Sequence, residues 1–260
     1  MEKEGEEMNK IGWCDRTWNP IIGCLNNNCP YCYARKIAKR FSKMWAMAEY
    51  DPHSYSTPSD DKTDRAVEGL SNDLRKFIPT FLYRQHHKKL PEKSQKIFVG
   101  SMSEIYYWKE KWISMVLDRI KLYPQHTFQF LTKFPDIYSQ WYFHPNCWLG
   151  VTITQEEDFK QGIPYDFICS KNITFLSIEP ILEKIDPNLF NELNLDWIII
   201  GFQTNPFKKI EKESVTNIIE WTRKNNIPLF LKDSIYKGYP DLPIIKEFPK
   251  EAKQDEDNNK

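Results

Sequence analysis

The sequence predicts an α/β chain folded as a (β/α) barrel of TIM type, full or partial, with a cysteine loop after the first strand. Two observations carry this prediction. Apolar runs of strand length recur along the chain, and helical patterns separate several of them, which implies crossover connections and a parallel sheet. No Gly-x-Gly-x-x-Gly follows any of these runs, which argues against a doubly wound dinucleotide-binding sheet.

In chain order, residues 1–10 and 251–260 read as flexible tails around a single barrel domain spanning 11–250. Ile21-Ile22, between Pro20 and Gly23, reads as the first strand. A helix begins at Tyr33 and runs to Ala48, because apolar residues recur there every three or four positions with Lys and Arg between them. Residues 51–65 are rich in Pro, Ser and Asp, so a polar insertion near 51–73 interrupts the domain. Further strand candidates cover 80–83, 96–100, 126–131, 147–151, 173–177, 197–201 and 228–231, giving eight with Ile21-Ile22. Helical patterns cover 108–123, 133–142 and 212–225, whereas 155–169 and 179–192 are only partly helical in pattern. In a parallel barrel the loops after the strands carry the chemistry. The strand ends therefore form an inventory: three cysteines, Gly100 to Glu104, Thr132 and Lys133, Thr152, Glu179, Gln203 and Lys232.

Composition narrows the function classes. The 36 basic and 36 acidic residues cancel, so there is no global pull toward nucleic acid. No long uncharged apolar run is present, and no membrane span is expected. The start Met1-Glu-Lys-Glu-Gly-Glu-Glu-Met lacks the apolar core of a secretory leader, which points to the cytoplasm. Six cysteines in such a setting favour metal binding or catalysis over a disulfide framework. Aromatics at 15% fit a core of large side chains, or a pocket walled by flat rings for a nucleoside-like ligand.

Cys24, Cys29 and Cys32 place three thiols within nine residues. An odd number cannot pair off internally, so the spacing suits a metal centre. Three thiolates on a four-iron cluster leave one iron open to a ligand, whereas a fourth closes the site. Cys14, ten residues upstream, keeps a closed zinc site of four cysteines open as an alternative; incidental buried thiols are a third. Cys147 and Cys169 read as ordinary thiols, and the five histidines show no ligand spacing.

The segment Cys24-x4-Cys29-x-Tyr31-Cys32 resembles the cluster motif of the radical S-adenosylmethionine enzymes, with a gap of four where three is usual. Trp13-x-Asp15-x-Thr17-Trp-Asn-Pro20, Phe98-Val-Gly-Ser-Met-Ser103, Phe128-Gln-Phe-Leu-Thr-Lys133, Trp148-Leu-Gly-Val-Thr152, Leu176-Ser-x-Glu-Pro180 and Trp197-Ile-Ile-Ile-Gly201 extend the likeness. They are similar to a widespread bacterial, archaeal and phage-encoded family of radical S-adenosylmethionine-like proteins without an assigned reaction. Where that family often carries Gly-Gly-Glu, this chain has Gly201-Phe-Gln203.

The resemblance implies that Cys24, Cys29 and Cys32 ligate a [4Fe–4S] cluster whose fourth iron chelates S-adenosylmethionine. It implies that Tyr31 lies near the adenine and that Gly100, Ser101 and Ser103 receive the methionine amino group. Ser103 and Glu104 would bind that group or the ribose hydroxyls, and Thr152 would back the adenine. The implied activity is reductive cleavage of S-adenosylmethionine to a 5′-deoxyadenosyl radical that acts on a small-molecule or nucleotide-like substrate. An external donor such as a flavodoxin or ferredoxin would supply the electron.

Three further residues are catalytic candidates from their strand-end positions. Glu179 suits a ribose diol or a substrate amine, or else caps a loop; Lys232, like Lys133, suits a carboxylate or phosphate, or else is solvated. Gln203 offers an amide that can read a base edge. The basic run Arg84-Gln-His-His-Lys-Lys89 suits phosphate, which leaves a nucleic-acid repair or modification enzyme as an alternative, beside a non-enzymatic zinc-stapled binding module.

Overall fold

The computed structural model describes residues 11–26, 29–40, 77–160, 162–163, 167 and 170–250. The expected tails, the helix beyond residue 40, the insertion near 51–73 and Cys169 lie outside the described residues. Among the described residues no helix is long and apolar enough to cross a membrane.

The parallel sheet has seven strands in the order β1 (Arg16–Trp18), β4 (Lys96–Val99), β5 (Thr127–Thr132), β6 (Cys147–Thr152), β7 (Thr174–Ile178), β8 (Trp197–Ile200) and β11 (Leu229–Leu231). The order follows the chain without reversal, which is the winding of a (β/α) barrel. It is an incomplete one, with seven strands and with β1 and β11 at the two ends of the order. The chain divides into two compact units, Met1–Trp148 and Leu149–Lys260, with the boundary inside β6.

In the first unit, β1 pairs with β4 in the register Arg16↔Ile97 to Trp18↔Val99, and β4 pairs with β5 from Lys96↔Thr127 to Phe98↔Gln129. The expected first strand is corrected here. β2 (Ile21–Ile22) stands outside the parallel sheet and pairs antiparallel with β3 (Thr80–Phe81). Two buried isoleucines suit a short ribbon as well as a sheet strand, so their apolar character does not distinguish the two. The true first strand, Arg-Thr-Trp, buries only its Trp fully and carries almost no apolar run.

The Cys loop leads into α1 (Tyr33–Arg40), and a short α2 (Tyr83–His87) follows β3. The next helix, α3 (Glu110–Lys121), buries Trp112, Ile113, Val116, Leu117 and Ile120 on one stripe. Glu110 in its first turn and Arg119 and Lys121 in its last complement the helix dipole. By contrast, α4 is confined to Ile137–Gln140 within the expected 133–142. The Lys133 N–H is taken by Glu104 at 3.1 Å and the Phe134 N–H by the Thr132 hydroxyl at 3.0 Å, so the chain there is a side-chain-bonded turn.

In the second unit every residue of β7, β8 and β11 is buried, as expected for parallel strands covered on both faces. Gly150 makes room for the Phe175 ring: a Cβ there would lie 2.2 Å from it. The strand β6 is followed by the short α5 (Glu157–Lys160), where Asp158 accepts the Thr154 N–H at 2.7 Å and its hydroxyl at 2.9 Å. A hairpin, β9 (Gln203–Thr204) with β10 (Phe207–Lys208), follows β8. α6 (Lys212–Lys224) returns the chain to β11, and α7 (Asp233–Gly238) begins right after Lys232.

His126, just before β5, is a buried imidazole with both nitrogens committed. Nδ1 accepts the Gln95 N–H at 3.1 Å, so Nε2 carries the proton and donates to the Pro91 carbonyl at 2.9 Å. Burial holds its pKa below the ordinary 6.5, opposed by the Pro91 bond and assisted by Arg16. Because the folded state binds the proton less readily than the unfolded one, stability is full above the ordinary histidine value. It falls as pH drops through about 6.5 toward the lowered folded value. Urea midpoints measured between about pH 5 and 7.5 should therefore rise with pH, and His126→Asn, which keeps an acceptor near Nδ1 and cannot be protonated, should flatten that slope. His86, also held low by burial, supplies a remaining part.

Candidate functional site

The cysteine loop in the first unit is positioned by its backbone. Gly23 adopts φ +97°, a left-handed conformation that favours glycine, and a Cβ there would lie 2.2 Å from the Ile78 carbonyl oxygen. Its N–H donates to Met102 O at 2.9 Å, and Gly23 bridges Ser103; the next N–H, of Cys24, donates to Phe77 O at 2.7 Å. The Cys32 N–H donates to Cys29 O at 3.0 Å, closing the Cys-x-x-Cys turn onto the start of α1. Arg35 reaches back to the Asn26 carbonyl at 2.9 Å and clamps the loop to the helix.

The three thiols share one electrostatic neighbourhood. Cys24 and Cys32 pack against Ile22, Ala34, Ala38 and Phe77. Burial pushes the Cys24 thiol far up from the ordinary thiol range, and the charges of Glu104, Cys32 and Cys29 push the same way. Burial also raises Cys29, where Lys133 is the strongest opposing influence. Two sulfurs already receive backbone hydrogen bonds, Cys24 from the Asn26 N–H at 3.3 Å and Cys32 from the Arg35 N–H at 3.4 Å. None of the described cysteines is in a disulfide.

As the side chains are placed, no group of three or more His, Cys, Asp or Glu among the described residues is arranged to hold a metal ion. The chemistry of the donors nonetheless fits a soft cationic centre. Burial makes the charged forms of Cys24 and Cys29 costly, a bound cation offsets that cost, and N–H···S bonds are the usual support of cluster thiolates.

Cys14 stands apart from this group. It precedes β1, and the neighbouring Asp15 N–H bonds Lys96 O at the start of β4, whereas the cysteine loop bonds Met102 beyond the end of β4. β4 is four residues long, so its two ends lie roughly 10 Å apart.

The turn after β4 is built into the same loop. Gly100, at φ +71°, donates to Trp18 O at 2.9 Å. The Ser101 hydroxyl donates to Asn19 Oδ1 at 3.1 Å, and the Met102 N–H reaches the same atom at 3.2 Å. Ser101 O accepts the Tyr33 hydroxyl, and the Ser103 hydroxyl accepts Trp108 Nε1–H at 3.1 Å. Glu104 is buried, and both its oxygens are engaged: Oε1 by the Thr132 hydroxyl and the Tyr106 N–H, Oε2 by the Lys133 N–H. Burial raises its carboxyl pKa against the pull of these bonds. The Tyr31 ring lies under Lys133, with Nζ 5.5 Å from its centroid.

Asn19, Arg35 and Tyr107 were not anticipated. Burial raises the Tyr107 hydroxyl to about 12, with Cys24, Glu104, Tyr106 and Cys29 adding to the rise, which sets it beside the thiols. Its ring packs edge-on to Phe134, which in turn stacks on Tyr106 at 4.6 Å. No spacing marks a lone tyrosine in a short 3-10 turn, whereas the Asn19-Pro20 pair was a legible turn signal.

In the second unit, Glu179 and Lys232 form an ion pair with Gly201 between them in strand order, and Thr152 on β6 lies on the far side of β7. Gln203 does not join the pair. Its amide donates to Pro206 O at 3.0 Å within the β9–β10 hairpin. The run 84–89 is not a uniform basic patch either: His86 is buried against Met115 O, and Lys89 pairs with Glu92.

Together these features define an α/β protein with an incomplete (β/α) barrel topology and a three-thiol loop pinned to the turn after its second sheet strand. The chain belongs to the family described as Protein of unknown function (DUF5131), whose model matches residues 8–247. No curated protein and no solved structure matches the chain.

If Gly23 is the anchor of the loop, Gly23→Ala should cost about 2–3 kcal/mol of stability, since it adds left-handed strain and a clash with a carbonyl that cannot move freely. Thermal melts read the loss, and a variant that melts with wild type would remove Gly23 from this role.

Proposed function

We propose that the protein is a radical S-adenosylmethionine enzyme, with Cys24, Cys29 and Cys32 holding a [4Fe–4S] cluster. The observation that carries this reading is the set of three mutually influencing thiols on a backbone-pinned loop, hydrogen-bonded to the Gly100–Ser103 turn. When bound, such a cluster with S-adenosylmethionine supplies reductive cleavage of the sulfonium C–S bond and a 5′-deoxyadenosyl radical.

The chain's own residues would bind, orient and shield. Asn26 and Arg35 donate N–H groups to two of the sulfurs, which moderates thiolate charge and tunes a cluster potential. Asn19 fixes the Ser101–Met102 backbone, so that the turn keeps its shape when a ligand arrives. Tyr31 and Tyr107 offer ring surface beside the thiols, and Glu104 orients the Lys133 backbone rather than presenting an open carboxylate. Thr152 and the Glu179–Lys232 pair are the candidate substrate-side groups of the second unit. A cytoplasmic setting, with a flavodoxin or ferredoxin as donor, suits a reduced cluster.

A closed zinc site is the competing reading, and the separation of Cys14 from the other thiols weighs against it. Anaerobic reconstitution should give a brown protein with about four irons and four sulfides per chain. Reduction in the presence of S-adenosylmethionine should release 5′-deoxyadenosine, read by chromatography. Cys24→Ala, Cys29→Ala and Cys32→Ala should each lose iron, and Cys14→Ala should keep it. Zinc bound by the wild type and lost in Cys14→Ala would overturn the proposal.

A further inference from the structure

The helix α1 begins directly after Cys32 and carries four cations, Arg35, Lys36, Lys39 and Arg40, and no acid. Helical periodicity sorts its residues. Ala34 and Ala38, one turn apart, are buried with Ile22 and Phe77. Tyr33, Lys36 and Arg40 follow i, i+3, i+7 spacing on the other side of the helix, and Lys39 stands i+3 from Lys36. Arg35 falls between the two sides and turns back to the Asn26 carbonyl. The alanines therefore cover the loop, and the opposite face of α1 is basic. Lys36 is exposed, and Tyr33 keeps 51% of its exposure although its hydroxyl donates to Ser101 O. An aromatic ring is thus held in place at the surface beside the cations.

A fixed ring among like charges is the make-up of a recognition surface, since aromatic residues anchor interfaces and charge steers the encounter. The chain's 36 basic and 36 acidic residues cancel, so this concentration is local. Its sign calls for an acidic partner. Its place narrows the choice. α1 is eight residues long, about 12 Å from end to end, so the whole face lies close to Cys32. A substrate must touch the reacting centre, whereas an electron needs only nearness. The side of α1 turned away from the loop offers nearness without contact. The exposed ring also suits the flat apolar edge of a flavin.

We infer that the basic face of α1 docks an acidic, flavin-bearing one-electron donor protein, with Tyr33, Lys36, Lys39 and Arg40 as its contacts. The inference rests on the cluster proposed at Cys24, Cys29 and Cys32 and assigns the surface through which its electron enters. The partner's flavin hydroquinone anion loses one electron to the cluster and keeps its proton, and no chemical group passes between the proteins. Contacts this few make a small, salt-sensitive encounter, which lets the spent donor leave.

The test is a titration of a fluorescently labelled acidic flavodoxin with the full chain, read by anisotropy. Binding should saturate at about 20 mM salt and weaken roughly tenfold or more by about 200 mM. The triple variant Lys36→Glu, Lys39→Glu, Arg40→Glu should weaken low-salt binding roughly tenfold, with the triple Gln variant at the same positions in between. Both should melt close to wild type, because they spare the buried Ala34 and Ala38; if the Glu variant unfolds, the Gln variant decides. Lys224→Glu, on α6, should leave binding unchanged. No saturable binding, undiminished binding in the folded triple variants, or an equal loss in Lys224→Glu overturns the inference. So does tighter binding of a ferredoxin of similar charge, or of a single-stranded oligonucleotide released by the same substitutions. Iron content of the same samples after anaerobic reconstitution reads the cysteine site separately. An iron-free wild type that still binds the flavodoxin would sink the cluster reading and leave the docking face standing, whereas iron retained with binding unchanged in the triple variants would sink the docking face alone.

Discussion

The cysteine loop is held by backbone, not by its thiols. Gly23 is threaded between the carbonyls of Met102 and Ile78 in a conformation that a side chain would spoil, and the two N–H groups of Gly23 and Cys24 are spent on Met102 and Phe77. Everything at the site depends on this constraint. It fixes where Cys24 emerges, it ties the loop to the turn after β4, and it lets the sulfurs stay available for a ligand instead of serving as staples. Under the proposed cluster reading, a loop shaped by its backbone would be loaded after folding.

The electrostatics of the first unit are unbalanced in a telling direction. Burial raises Cys24, Cys29 and Glu104, the charge of Glu104 adds to the rise of the two thiols, and Lys133 is the chief opposing influence on Cys29. Negative charge is costly among these apolar walls, and hydrogen bonds to Glu104 and two N–H···S contacts meet part of that cost. These moderate the cost without neutralising it. A cationic centre would do so, and that is why the donor set suits a soft metal although the side chains do not already surround one.

Much of this was legible in the sequence, and the exceptions have physical causes. Strands with dense β-branched and aromatic runs, such as Trp197–Ile200, and the long helices Glu110–Lys121 and Lys212–Lys224 stand close to where periodicity places them. Arg16–Trp18 was invisible because three residues with a half-buried Arg and Thr give no apolar run, while Ile21–Ile22 gave a strong local signal for a strand of a different sheet. The helix expected over 133–142 shrank to four residues because Glu104 and Thr132, distant or silent in pattern, take the N–H groups that would have opened it. The thiols could be named from spacing alone. Their supports, Asn19 and Arg35, act through two hydrogen bonds each that no spacing encodes.

In the second unit the charged groups at the sheet edge come from the strands that flank β8. The residue two after Gly201 is Gln203, and its amide is turned into the β9–β10 hairpin, where it holds Pro206 O. The strand end of β8 therefore offers no acidic group of its own. Gly201 offers space instead, and the flanking strands fill it with a carboxylate from β7 and an ammonium from β11, charges that meet over the missing side chain. A single acid at β8 would favour an amine. The paired arrangement cancels that preference, because the Lys232 ammonium already answers the Glu179 carboxylate. A lone carboxylate at the end of β8 would give this sheet edge a net charge, whereas the cross-strand pair gives it two opposite charges that offset each other.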